Sequence, residues 1–568
     1  MNNYFNSGLN DEEVIKSRKK YGSNSITEKK QNKFIDFLLD ALADPIIKIL
    51  LIALAIKLVF LFKDFDLFET LGIVIAIFVA TFISSLSEYG SEKAFNKMQE
   101  DASKIKCKVK RNGKLEMVHQ YKNNGYNIVL DVNSGAVHVV DDVVYDTLEL
   151  YEDNTLEEII EKLEEKYPDY SVREAYSEIT ELKEAGQLFT EDIYENYIDS
   201  FKDRPTVVKA LCLHIAHDCN LACKYCFAEE GEYHGRRALM SFEVGKKALD
   251  FLVANSGSRR NLEVDFFGGE PTMNFEVVKQ LVEYGRSIEE ANNKKFRFTL
   301  TTNGILLNDD ILEFANKEMS NIVLSIDGRK EINDLMRPTR NNHGSSYDII
   351  MPKFKKVAES RNQMNYYVRG TFTHNNLDFS KDVFHLADEG FEQISVEPVV
   401  AQPTDSYAIR EEDIPTILEQ YDILAKELVK RKKQGNGFNF FHFMIDLNGG
   451  PCVAKRLSGC GSGCEYLAVT PWGDFYPCHQ FVGNEDFLMG NVDEGIIRND
   501  IVEEFKSCNV YSKEKCKNCF AKFFCSGGCA ANSYNFHGNI NDAYDVGCEL
   551  QRKRVECAIM IKAALADK

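Results

Sequence analysis

The spacing of apolar residues changes character along this chain. Two long apolar runs come first, Pro45 to Phe62 and Phe68 to Leu86, each about the length a helix needs to cross roughly 30 Å of hydrocarbon. Lys63, Asp64 and Asp66 between them leave only a short polar turn, so the pattern predicts two transmembrane helices, at about 45–62 and 68–86. Lys48 and Lys57 inside the first run oppose insertion, and a pair of buried core helices is the alternative. From Ile128 to Val140, apolar and polar residues alternate about Asn133-Ser-Gly135, which predicts a β-hairpin. Helical spacing follows: Leu156, Ile159, Ile160 and Leu163 share one face, Ala175, Ile179 and Leu182 another, and Gly186 is placed to end the second helix. Apolar runs then begin at Ala210, Leu262, Phe296, Ile322, Tyr366 and Ile394 and alternate with helical patterns. That alternation predicts a parallel β/α barrel of about six strands.

At 568 residues the chain exceeds one hydrophobic core. The expected organisation is an amino-terminal piece over 1–116, a small β-then-α domain over 117–200, the barrel over 205–440 and a cysteine-rich domain over 450–568. A fresh pattern starts at Met117, and from there the chain reads as one complete protein. This predicts that Met117 is an original start and that the front was added to it. A formal charge of -20 speaks against nucleic acid, whose phosphates need clustered Lys and Arg. A peptide or small molecule suits better. The 16 cysteines fall mostly in two clusters with no secretory signal ahead of them, which predicts metal in a reducing cytoplasm.

The strongest chemical signal is Cys219-Asn-Leu-Ala-Cys223-Lys-Tyr-Cys226, directly after the first barrel strand. Three thiolates on one loop suit a 4Fe-4S cluster whose fourth iron stays open to a cofactor; a zinc knuckle is the alternative, though zinc wants a fourth, closing ligand. Chemistry in such barrels sits at the carboxyl ends of the strands. There the chain places Gly268-Gly269-Glu270-Pro271, Thr302-Asn303-Gly304, Ser325-Ile-Asp327-Gly328 and Glu397-Pro398. Beyond residue 450 the cysteines read Cys460-x3-Cys464, Gly473-x4-Cys478, Cys516-x2-Cys519-x5-Cys525-x3-Cys529 and Cys548, a density that zinc sites could also explain. Cys452, Cys508 and Cys557 fit no ligand slot, and Cys212 reads as a buried apolar residue.

These motifs resemble the radical S-adenosylmethionine (SAM) enzymes with a SPASM extension. The resemblance implies a partial (β/α)6 barrel in which Cys219, Cys223 and Cys226 hold the cluster that cleaves SAM. It further implies that the turn Gly268 to Pro271 offers its backbone to the SAM amino group, and that Ser325 and Arg337 bind its carboxylate. By the same resemblance Cys516, Cys519, Cys525 and Cys548 hold an outer auxiliary cluster. Cys529 crosses back to an inner one with Cys478 and either Cys460 or Cys464, making three 4Fe-4S clusters in all. Residues 117–200 resemble the leader-peptide recognition domain of peptide-modifying enzymes, a winged helix-turn-helix variant that takes an extended leader as an added strand. Leu211-Cys-Leu-His-Ile-Ala-His-Asp218 and Gly459-Cys-Gly-Ser-Gly-Cys-Glu465 resemble the maturases of SCIFF peptides in particular.

That family implies a cysteine-rich precursor peptide with a leader as partner, and a reducing donor such as ferredoxin or flavodoxin. It implies a thioether between a cysteine sulfur and the α-carbon of a threonine, with an auxiliary cluster accepting an electron. The rival readings are a sulfatase-type formylglycine maturase and a membrane-anchored iron-sulfur electron carrier. The front piece, with Asp11-Glu-Glu-Val-Ile-Lys-Ser-Arg-Lys-Lys-Tyr-Gly, Asp44-Pro-Ile-Ile-Lys-Ile-Leu-Leu and Glu88-Tyr-Gly-Ser-Glu-Lys, resembles the amino terminus of P-type cation-transporting ATPases. The Asp-Lys-Thr-Gly loop that such a pump phosphorylates is absent from the chain, so transport is not expected. Any membrane contact is expected through that hairpin alone.

Overall fold

The computed structural model describes residues 117–198, 206–340, 344–447 and 453–566, together with Thr81. The chain divides into two compact units, 1–115 and 116–568. The helices expected at 45–62 and 68–86 lie outside the described residues, and among the described ones no helix is long and apolar enough to cross a membrane.

The second unit begins with an antiparallel sheet of β1 (Val118–Asn123), β2 (Tyr126–Asp131) and β3 (Val137–Val140), in that order. The hairpin expected over 128–140 is β2 and β3, with Leu130 opposite Val137. Asp131 closes its turn by accepting from the Ser134 backbone N–H at 2.8 Å. β1 escaped the sequence reading because Val118–Asn123 is mostly polar and alternates weakly. Three helices follow, α1 (Asp142–Tyr151), α2 (Leu156–Leu163) and α3 (Asp169–Glu184). Each of the first two starts at a side chain that accepts from the opening turn: Asp141 for α1, and Thr155 for α2 in a reciprocal box with Glu158. α1 and α3 pack Val144, Leu148, Ala175 and Ile179 against Val129 of the sheet.

The barrel consists of β4 (Ala210–His217), β5 (Asn261–Gly268), β6 (Lys295–Thr302), β7 (Met319–Ser325), β8 (Tyr366–Phe372) and β9 (Gln393–Pro398). Neighbours pair in parallel and in sequence order, with helices between successive strands. β4 and β9 do not pair, so the barrel is open on one side. Along β6, Phe296, Phe298 and Leu300 are buried while Arg297, Thr299 and Thr301 alternate with them. This is the period that puts one set of side chains against the helices and the other toward the lumen.

Two short strands lengthen the sheet at both ends. β10 (Asn439–Phe440) lies parallel to β9, and β11 (Tyr466–Val469) lies parallel to β4 with Tyr466 opposite Ala210. From β11 the sheet continues antiparallel through β12 (Asp474–Tyr476), β13 (Gly490–Asn491) and β14 (Gly495–Ile496). The cysteine-rich segment is thus a continuation of the barrel sheet, hydrogen-bonded to the strand that leads into the Cys219 loop. The chain ends in a long helix, Asp545–Ala566.

The small domain is tied to the cysteine-rich segment by specific contacts. The His119 ring stacks on Phe520 at 3.5 Å between centroids, and its Nε2 lies 2.9 Å from Glu556. In the segment after α3, Asp192 pairs with Lys522 at 2.6 Å and accepts from the Tyr511 hydroxyl; both charged side chains are buried. Removing one partner of such a pair leaves the other charge buried and uncompensated. Asp192→Ala is therefore expected to destabilise the iron-loaded protein by roughly 3 kcal/mol, read from its urea denaturation midpoint, and adding Lys522→Met should recover most of that loss.

Candidate functional site

Where β4 ends, the chain enters the loop of Cys219, Cys223 and Cys226. Its path is set by backbone pairing: Ala222 N–H donates to Pro338 O at 3.0 Å, Lys224 N–H to Met336 O at 2.9 Å, and Leu221 bridges to Thr339. The first thiol is held from both sides. Cys219 N–H donates to the Asp218 carboxylate at 2.9 Å, and Asn303 Nδ2 reaches Asn220 Oδ1 at 2.7 Å and Cys219 Sγ at 3.5 Å. Burial, reinforced by the Glu270 charge and the neighbouring thiols, pushes Cys219 up to about 12. Burial pushes Cys223 up to about 11 although Arg337 pulls the other way. Such thiols give up their protons to a metal rather than to water.

The turn Gly268-Gly269-Glu270-Pro271 lies against this loop, and its glycines are required by close packing with the end of β4. A Cβ on Gly268, at φ +118°, would stand 2.4 Å from Ala216 O, and one on Gly269 would stand 2.1 Å from Asp218 O. The reason for glycine that the geometry supplies is thus approach to the protein's own backbone. Glu270 points inward: its carboxylate accepts from Thr272 N–H at 3.0 Å, Thr302 Oγ1 at 2.8 Å, Asn303 N–H at 2.7 Å and the Thr272 hydroxyl. With the side chain so occupied, the turn is left its main chain for any ligand. Pro271 opens the short helical turn Pro271–Asn274, where a missing N–H costs nothing.

Arg337 lies on the segment paired with the cysteine loop and is only 8 % exposed. Its Nη1 donates to Tyr225 OH at 2.9 Å, and Tyr225 OH donates to both oxygens of buried Asp327 at 2.8 Å. Burial raises Asp327 to about 6 against the pull of Arg337. The Arg337 Nε is buried without a partner, an unused donor beside the Cys223 thiol and thus of the right chemistry for a carboxylate ligand. Ser325 ends β7 directly opposite Arg369 of β8. Arg369 was missed in the sequence reading, although a lone arginine in an alternating apolar strand signals a lumen position. It pairs with Glu397 at 2.9 Å, and Glu397 sits near 2 because Arg369, with His442, outweighs the opposing effect of burial.

All fourteen described cysteines are free thiols. Those of the cysteine-rich segment sort by mutual repulsion. Cys478 and Cys529 each feel Cys460; Cys516, Cys525 and Cys548 feel one another or Cys519. Burial and these neighbours push Cys516 up to about 12 and Cys548 up to about 11. The four outer thiols and Cys529 line a cavity of about 280 Å³ that reaches Glu397 and Pro398 at the barrel mouth. Between Cys525 and Cys529, Ser526, Gly527 and Gly528 are all left-handed, with φ of 62°, 87° and 72°, and this swings Cys529 toward Cys460 and Cys478. Cys464 is buried, its Sγ 3.5 Å from Ser462 O. Among the described residues, no three His, Cys, Asp or Glu side chains converge as they would on a single metal ion; the thiolates of a 4Fe-4S cluster bind different irons. Cys508, which the spacing left unassigned, shares a second small cavity with Cys460 and Lys513.

Residues 208–351 match the family model of the 4Fe-4S single cluster domain, and residues 2–57 match that of the cation transporter/ATPase N-terminus. The cysteine-type anaerobic sulfatase-maturating enzyme of Clostridium novyi is 26% identical over 350 residues, which are 58% of this chain and 90% of that protein. The radical SAM cyclopropyl synthase TigE of Paramaledivibacter caminithermalis is 22% identical over 376 residues, 61% of this chain and 72% of that one. Native anSMEcpe with bound AdoMet shares the fold at a TM-score of 0.52 and 20% identity, over 64% of this chain and 100% of that one; it has also been solved with AdoMet and the Cp18Cys peptide. The chain is a homologue of the radical SAM, SPASM-type maturases, preceded by a segment similar to the amino terminus of cation transporters.

Proposed function

We propose that residues 117–568 form a cytoplasmic radical SAM enzyme that closes a thioether, between a cysteine sulfur and the α-carbon of a threonine, in a SCIFF precursor peptide. The observation that supports it best is the sorting of free thiols into separate groups, the first beside the turn Gly268 to Pro271 at the barrel mouth. In this reading Cys219, Cys223 and Cys226 hold three irons of the first 4Fe-4S cluster. The unused Nε of Arg337, with Ser325, anchors the SAM carboxylate, and the main chain of the Gly268-Gly269 turn meets its amino group. When bound, the cluster and SAM supply a 5'-deoxyadenosyl radical that takes a hydrogen atom from the substrate α-carbon.

Closing the thioether removes that hydrogen atom, a thiol proton and one electron. Cys460, Cys478 and Cys529 would hold an inner auxiliary cluster and Cys516, Cys519, Cys525 and Cys548 an outer one, groups that would supply an acceptor for that electron; a ferredoxin or flavodoxin would be the reducing donor for the first cluster. An inner cluster with three protein ligands would also hold the substrate thiolate beside the reacting carbon, which makes the step intramolecular. The sheet β1–β3 offers the outer edge of β3 to an extended leader. Arg369 and Glu397 give the lumen a charged pair that orients peptide amides. Residues 1–116 are read as an added piece, and membrane association as confined to them.

A second reading, oxidation of a cysteine or serine to formylglycine, is favoured by the similarity to sulfatase-maturating enzymes. Product chemistry separates the two. With a short cysteine-rich peptide encoded beside this protein, the expected product has lost a pair of hydrogens and one alkylatable thiol and carries no aldehyde; an aldehyde would replace our reading by the second. If reduced protein forms no 5'-deoxyadenosine from SAM, both give way to a simple electron carrier.

The site makes two further expectations. Arg337→Met is expected to weaken SAM binding at least about tenfold, roughly 1.4 kcal/mol, measured by anaerobic equilibrium dialysis on iron-loaded protein. Cys460→Ala is expected to lower the iron content by about four atoms per chain, with the first cluster retained.

A further inference from the structure

Among the described residues, two lysines are buried in the cysteine-rich segment, and their surroundings differ. Lys522 is neutralised by Asp192 at 2.6 Å. Lys513, 2 % exposed, has no carboxylate within ion-pair distance among the described residues; its Nζ donates to Gly527 O at 2.9 Å, and it lines a cavity together with Cys508. An ammonium taken out of water without a counterion is strongly unfavourable, so its position implies a negative occupant nearby.

The thiols around it say where that occupant lies. The Lys513 charge acts on Cys516 and Cys525 of the outer group, on Cys529 of the inner group and on Cys508. It also lines, with Cys460 and Cys508, a cavity of about 30 Å³, room for little more than one water. Ser526, Gly527 and Gly528, the crossover between the groups, form another wall of that cavity. The ammonium therefore sits at the crossover, within reach of both sets of sulfur ligands.

We infer that Lys513 is the shared counterion of the two auxiliary clusters, a positioning residue that raises the reduction potential of both. This rests on the assignment of those clusters under Proposed function. A 4Fe-4S cluster with thiolate ligands is an anion, and each added electron makes it more so; a fixed cation in a poorly hydrated site stabilises the reduced form more than the oxidised one. The consequence for the reaction is directional: the electron released when the thioether closes finds acceptors more willing than their sulfur ligands alone would make them.

The test compares anaerobically reconstituted full-length protein with Lys513→Met and Lys513→Arg, using EPR-monitored redox titration and iron and sulfide counts. Both auxiliary potentials are expected to fall in Lys513→Met and to stay near the parent value in Lys513→Arg, while the Cys219/Cys223/Cys226 cluster keeps its potential in all three. Parent-like potentials in fully loaded Lys513→Met overturn the inference. Should Lys513→Met fail to load the auxiliary clusters, recovery of loading by Lys513→Arg supports the need for charge, and equal failure of Lys513→Arg overturns it. A parent protein without auxiliary clusters removes the underlying assignment, which the iron count alone reveals; a parent with them but without thioether product leaves the role of Lys513 standing.

Discussion

The open end of the barrel depends on one close approach of backbone to backbone. The end of β4 and the Gly268-Gly269 turn are joined by Gly269 N–H to Ala216 O at 2.7 Å and Glu270 N–H to Asp218 O at 2.9 Å, with no space for a side chain between them. That contact fixes the residue from which the first thiol hangs. It also fixes Glu270, whose carboxylate carries the same constraint onward to Thr302 and Asn303 at the end of β6. Asn303 then returns to Cys219. The loop is therefore shaped by main-chain and carboxylate hydrogen bonds, and these set where its sulfurs stand.

Charge at the site follows from burial more than from pairing. Two histidines of β4 illustrate it: His214 Nδ1 and His217 Nε2 meet at 2.9 Å, and burial lowers His217 to about 4. These rings stay neutral at physiological pH. Asp327 and the Cys219 and Cys223 thiols are driven by the same desolvation toward their uncharged forms. Glu397 keeps its charge because Arg369 faces it, and the Arg337 guanidinium keeps its own beside Tyr225 and Asp327. Charge at the site survives where a partner faces it.

The barrel strands were legible because each is a short apolar run set between helical patterns, and the first thiol loop because its spacing follows a strand. β1, α1 and β10 to β14 were not. Val118–Asn123 carries too few apolar residues to show a period, and two- to four-residue strands are shorter than any periodic signal. Spacing could also not choose between Cys460 and Cys464, since the choice belongs to the fold; Cys460 lies close enough for its charge to act on Cys478 and Cys529. The inward turn of Glu270 and the isolation of Lys513 were hidden for a related reason. Both depend on what neighbouring segments bring within a few ångströms, and sequence carries no record of that.

The left-handed run at Ser526, Gly527 and Gly528 leaves only three residues between Cys525 and Cys529. A spacer that short, with positive φ throughout, behaves as a bracket and not as a hinge: where one of the two thiols is placed, the other follows.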